Sequence, residues 1–203
     1  MQNSQITVLL NDNSLNRENS KMFMNYVGKV CSIPGFILPE PYRLVSSVIC
    51  NEYRIISSDP DPETLFLIRL FDLPSDHILN LSNYSSLNKK LTQCLVWSSL
   101  VPSQPDAFQF LATKFFDYFL NHYNIGITSG PMTLASAHFW EGRLTSAFMN
   151  PKMNVIKSDG QEIFLIPNWD AFQEDWSEMI LKSSENIQDQ TVIVISKDNE
   201  VKT

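Results

Sequence analysis

The stretch from Asp106 to about Tyr123, DAFQFLATKFFDYFLNHY, constrains the fold more than any other part of the chain. Phe108, Leu111, Phe115 and Phe119 recur at the spacing of one helix face, and Phe110, Phe116 and Tyr118 carry the apolar surface well beyond that face. A helix this apolar must be wrapped on several sides by the rest of the fold, or must lend one side to a partner. The full length of 203 residues suits one domain able to do the wrapping.

Around that helix the sequence predicts short strands and further helices. Met153–Lys157 and Glu162–Ile166 are separated by Ser158-Asp159-Gly160-Gln161, and Asp-Gly suits the positive φ of a hairpin turn. Ile6–Leu10 and Gln190–Ser196 read as terminal strands, and Thr64–Leu73 as a buried strand or, alternatively, a helix begun by Pro62-Glu63. Helices are expected over Leu15–Cys31 behind a Ser14 cap, over Ser75–Ser99 with a break at Ser82–Asn88, over Met132–Met149, and from Asn168 or Asp170 to about Lys182. Tyr42–Ser57 is ambiguous. Val45, Val48, Ile49, Tyr53 and Ile56 fit a helix, which is the expectation, although the β-branched content suits strands. The expected fold is α+β: about five helices packed with a small, mainly antiparallel sheet that includes the 153–166 hairpin. It forms a single domain over residues 1–203 and ends in a polar tail from about residue 197.

The charge is uneven. Residues 1–158 carry twelve acids and twelve bases, whereas Asp159–Thr203 carries ten acids and three bases, so the net charge of −7 lies in an acidic C-terminal segment. Such a surface keeps a protein soluble, or attracts a basic partner. It argues against general nucleic-acid binding, which needs clustered Lys and Arg, and leaves mimicry of nucleic acid weakly supported because the acids are few and local. No apolar run approaches the ~20 residues of a membrane span, and no basic region precedes the short apolar patch near Met1, so neither membrane insertion nor a signal peptide is expected.

Candidate chemistry is sparse. Glycine-rich phosphate loops, H-E-x-x-H, the zinc-deaminase pattern and G-x-S-x-G do not occur. Cys31, Cys50 and Cys94 form no C-x-x-C pair and sit among apolar neighbours, so they read as free thiols in a reducing compartment, buried as small hydrophobes. Of His77, His122 and His138, the last lies in His138-Phe139-Trp140-Glu141-Gly142-Arg143. There His138 and Glu141 share a helix face as an acid–base pair needs, although Phe139 and Trp140 read as core and the charges as surface. His122 and His138 could meet across consecutive helices, but a metal would still need carboxylates such as Asp117 or Glu141. Asp59-Pro60-Asp61-Pro62-Glu63 gathers three carboxylates but lacks the turn glycine of a calcium loop. No catalytic residue, metal or cofactor is expected.

One helix suggests a binding role instead. Trp169, Phe172, Trp176, Met179 and Ile180 form a one-sided apolar stripe, and Asp170, Glu174, Asp175 and Glu178 fall mostly on the other side. Such a helix is either an ordinary surface helix packed by its aromatics, or the border of a groove for a partner's amphipathic or basic helix. In the second case the rings would be anchors and the acids a rim. The leading expectation is a non-enzymatic protein–protein interaction subunit, and the alternative is a small hydrolase or transferase using His138 or a cysteine. The chain's size, acidity, few cysteines and Asn/Ser content resemble acidic adaptor subunits of bacterial type IV secretion coupling complexes. That resemblance implies a cytoplasmic, chaperone-like subunit that docks on a coupling ATPase and helps present secreted proteins.

Overall fold

Tyr42–Ser57 folds as two strands and not as a helix. In the computed structural model β2 (Tyr42–Ser47) and β3 (Glu52–Ser57) are antiparallel, Leu44 opposite Ile55 and Val45 opposite Arg54. The turn between them is held by Ile49 N–H donating to Ser47 Oγ at 3.2 Å and by Val48 N–H donating to Val27 O at 2.8 Å. Val45, Ile55 and Ile56 are buried in the resulting sheet, where β-branched side chains pack well. The structure describes residues 6, 9–57, 60–72, 89–99, 111–128, 134–158, 163–174, 176–177 and 191–197.

Three helices lie complete within those residues: α1 (Asn13–Tyr26), α2 (Leu111–Leu120) and α3 (Leu134–Met149). The strands are β1 (Gly28–Val30), β2, β3, β4 (Thr64–Asp72), β5 (Lys90–Ser98), β6 (Tyr123–Thr128), β7 (Met153–Ser158), β8 (Ile163–Ile166) and β9 (Val192–Lys197). They form one nine-stranded sheet of order β1-β2-β3-β4-β5-β6-β9-β7-β8, with β5–β6 parallel and β1–β2, β2–β3, β3–β4, β6–β9, β7–β9 and β7–β8 antiparallel. This overturns the expected five helices on a small sheet: the described residues form a nine-stranded mixed sheet, with α1, α2 and α3 as their complete helices.

The reason is a degeneracy of spacing. Leu91 and Leu95, four apart, lie on one face of a helix and equally on one face of a strand, because four is also even. They belong to β5, so the end of the expected Ser75–Ser99 helix is a strand, while its earlier part lies outside the described residues. Ile6 and residues 9–11 are helical, not a strand. β4, β7, β8, β9 and α3 form where the sequence places them, and the expected Asp106–Tyr123 helix is present from Leu111 to Leu120 but gives way to a turn and then, at Tyr123, to β6. The hairpin turn at 159–162 and the tail beyond residue 197 lie outside the described residues.

Contacts divide the chain into two compact units, residues 1–71 with 94–114, and residues 72–93 with 115–203. In the first unit, buried Val45 and Ile56 pack with Phe23 of α1, and buried Leu67 packs with Ile6, Leu10, Leu95 and Trp97. In the second unit, Phe115, Phe119 and Leu120 of α2 are sealed, as are Ile125, Leu144 and Ile193–Ile195. Phe116 meets Trp140 edge-on at 5.9 Å. The aromatic excess of α2 is thus spent on core, each such ring being worth roughly 2 kcal/mol of transfer free energy.

Candidate functional site

α1 is built inside out. Asp12 caps it, accepting from the N–H groups of Ser14 at 2.9 Å and Leu15 at 3.0 Å, so the cap is Asp12 and not Ser14. The face turned to the protein carries Asn16, Ser20 and Phe23, all buried. Two of these are polar and need partners in the interior. β4 provides them: Asn16 Nδ2 donates to Thr64 O at 3.0 Å, Thr64 N–H donates to Asn16 Oδ1 and Ser20 Oγ at 2.9 Å each, and Ser20 Oγ lies 2.7 Å from Thr64 Oγ1. Among the exposed Arg17, Glu18, Lys21 and Asn25, α1 also leaves apolar residues outside. Leu15 is 41 % exposed, Met22 54 % and Tyr26 77 %. The apolar residues of the helix therefore divide: Phe23 is buried, whereas Leu15, Met22 and Tyr26 form an outward ridge.

Two hollows flank the ridge. One, of about 320 Å³, is lined by Met22, Phe23, Tyr26 and Ile49 on its apolar side and by Cys50, Glu52, Arg54 and Arg69 on its polar side. The other, of about 650 Å³, runs past Arg17, Glu18, Lys21, Asn25 and Asp61. Ile49 and its neighbour Val48 are well exposed at the β2–β3 turn and extend the apolar surface. Lys21 Nζ pairs with Asp61 at 2.6 Å and holds that carboxyl below the usual carboxylate range, first by hydrogen bonding and then by charge.

The polar wall of the smaller hollow is a buried ionic cluster. Glu52, 1 % exposed, accepts from Arg54 Nε at 2.6 Å through one oxygen and from Arg69 Nε at 2.5 Å through the other. Arg54 also donates to Asn19 Oδ1 at 2.6 Å, and its guanidinium lies 3.9 Å from the centre of the Phe23 ring. Desolvation lowers the Arg54 pKa, and Glu52 acts against that shift. The cluster escaped the sequence reading because Glu52 and Arg54 share a face only in a strand, and 42–57 was expected to be helical. The visible signal was Arg69 standing alone in an apolar run.

Of the two readings of the C-terminal stripe, its described residues follow the one in which the helix is packed by its own aromatics. Phe172 and Trp176 are buried, Trp169 is half-buried, and Asp170 and Glu174 are exposed; Asp175 and Glu178 lie outside the described side chains. Phe172 packs against Trp169, Trp176 and Phe148 at 5.9, 5.9 and 6.1 Å. Residues 173–174 and 176–177 are helical, and Met179 and Ile180 lie outside the described residues. The two sealed rings act as core and present no anchor to a partner.

Trp176 Nε1 donates to Glu141 Oε1 at 3.0 Å, and His138 Nδ1 lies 3.2 Å from Glu141 Oε2, so the expected His138–Glu141 pair does form. His138 is 66 % exposed and stands in solvent. His122 packs on Tyr118 at 4.9 Å, and His77 lies outside the described residues. Asp61 and Glu63 of the acidic run face Lys21 and Arg17, the latter pair at 4.0 Å, while Asp59 is outside the described residues. The cysteines differ from the expectation of three buried thiols: Cys50 is exposed, Cys31 is half-buried, and half-buried Cys94 has a desolvated thiol. Among the described residues no three His, Cys, Asp or Glu side chains are grouped to hold a metal ion.

No protein-family model matches the chain, and neither a curated protein nor a solved structure does.

Proposed function

We propose that this chain is a non-enzymatic protein-interaction subunit that docks an amphipathic helix of a partner protein along the outward ridge of α1. The supporting observation is the outward ridge of α1, where Leu15, Met22 and Tyr26 stand in solvent beside a hollow with a charged wall while Asn16 and Ser20 are buried. Exposed apolar surface rimmed by polar groups is what a helix-in-groove interface needs. The acidic C-terminal segment, including exposed Asp170 and Glu174, would steer a basic partner during encounter. Size and acidity extend the proposal to a chaperone-like cytoplasmic adaptor, as in the type IV secretion coupling complexes that the composition resembles. No described helix is long and apolar enough to cross a membrane.

The test is site-specific photo-crosslinking in the native host. A photoreactive phenylalanine at Tyr26 should trap one defined adduct, lost in Met22→Asp, and the same group at Met149, which is 81 % exposed on α3, should not trap it. Identical adducts from both positions, or none from Tyr26, refute the reading. His138→Ala should leave the adduct unchanged, whereas a hydrolase or transferase would depend on that side chain.

A further inference from the structure

β8 stands at one end of the strand order, paired with β7 on one side and with no described strand on the other. Alternate residues of such a strand send their N–H and C=O groups outward, where they form a template for another strand. Proteins usually guard an edge with a charge, a proline or a covering segment. Ile163-Phe164-Leu165-Ile166 holds neither charge nor proline. Phe164 and Leu165, on opposite faces of the strand, are 46 % and 57 % exposed. The row of backbone groups specifies an extended strand as its occupant, and the short neutral sequence can serve as its own complement.

We propose that β8 pairs antiparallel with β8 of a second copy of this chain, joining the two β7–β8 hairpins into a four-stranded ribbon. Symmetry narrows the register. A two-fold axis relating adjacent antiparallel strands stands perpendicular to the ribbon and preserves its faces, so it must pass between a residue and its own counterpart. An axis at Leu165 sets Ile163 opposite Pro167, which has no N–H to donate. An axis at Phe164 avoids this. It places the two Phe164 rings beside one another on one face and each Leu165 beside Ile163 of the second copy on the other, so both half-exposed side chains gain an apolar neighbour. No charged residue of β8 meets a like charge. Three paired β8 residues per copy fall short of the ~1,200 Å² of a stable interface, so the dimer is reversible and concentration-dependent. The net charge of −7 on each copy opposes approach, so added salt strengthens the association.

Sedimentation equilibrium over a concentration series, at low and high salt, tests this. The wild type should pass from monomer to dimer, and the transition should move to at least tenfold higher concentration in Phe164→Lys but not in Met149→Lys. In a Cys50→Ser background, Phe164→Cys should cross-link to a disulfide dimer on mild oxidation, because its counterpart lies directly across the axis, and Leu165→Cys should cross-link far less. A wild type that stays monomeric throughout overturns the proposal, including one that instead binds an added extended peptide at β8. So does equal dimerisation of Phe164→Lys, or equal cross-linking of the two cysteine variants.

Discussion

Glu52 on β3 lies directly opposite Arg69 on β4 in the antiparallel ladder, and the two side chains meet as an ion pair whose carboxylate is sealed from solvent. Arg54, two residues along the same face of β3, takes the other oxygen. One buried carboxylate thus serves two guanidiniums. Glu52→Gln keeps the shape but leaves Arg54, 3 % exposed, without its counter-charge. Removing one member of a buried pair costs about 3–5 kcal/mol, and the loss should appear as a lower urea midpoint with an unchanged slope. Equal stability of variant and wild type would refute the account of the cluster.

Asn16 ties α1 to the start of β4, with Nδ2 donating to Leu10 O and Thr64 O and Oδ1 accepting from Thr64 N–H. Asn16→Ala leaves the Thr64 N–H to Ser20 Oγ and removes the Nδ2 donor from the buried Leu10 O and Thr64 O. Each unsatisfied buried group costs roughly 1–3 kcal/mol, so the variant should lose at least ~2 kcal/mol of stability. Hydrogen exchange should rise in α1 before it rises in β3. Protection lost uniformly across the sheet would mean that Asn16 does not hold the helix.

The contrast between these two features and the expected site shows what the sequence could disclose. The hairpin, α3, β4 and β9 were legible because Asp-Gly turns and dense β-branched runs act locally. Leu91–Leu95 was lost because four apart is a spacing common to both periods, and Tyr42–Ser57 because its helix-like pattern of Val45, Val48, Ile49, Tyr53 and Ile56 runs across a turn, with Val48 and Ile49 between two strands. The burial of Asn16 and Ser20 left no local trace. Which face of α1 turns inward was decided by Thr64, some 44 and 48 residues away, and no periodicity reports such a partner. For the same reason the stripe of Phe172 and Trp176 left both readings open: a one-sided aromatic stripe looks alike whether a partner or the chain itself covers it.

The three thiols should separate cleanly under alkylation of the native protein. Cys50 is exposed beside Arg54 and should react first, half-buried Cys31 should follow, and Cys94 should react last, since burial pushes its thiol pKa far up and suppresses the thiolate. Mass spectrometry of iodoacetamide-treated protein at successive times gives the order. In urea the three rates should converge. Early modification of Cys94 in the folded protein would show that its thiol is open to solvent.

Asp117 on α2 gives the protein a defined pH response. Although Asp117 is exposed, desolvation raises its carboxyl pKa above the ordinary aspartate value, and Arg143 and Lys197 pull it back only in part. The folded chain therefore holds this proton more tightly than the unfolded chain does. The resulting contribution to stability is complete below the unfolded pKa and is lost as pH rises through the folded one. Asp117→Asn cannot ionise and removes this dependence. The stability of the wild type relative to Asp117→Asn should thus be highest in acid and fall on going from about pH 3 to pH 6, around the ordinary aspartate value of ~3.9. Paired urea titrations along that range measure the difference directly. A difference that grows with pH would mean that Arg143 and Lys197 outweigh burial and that the carboxylate is held in its charged form.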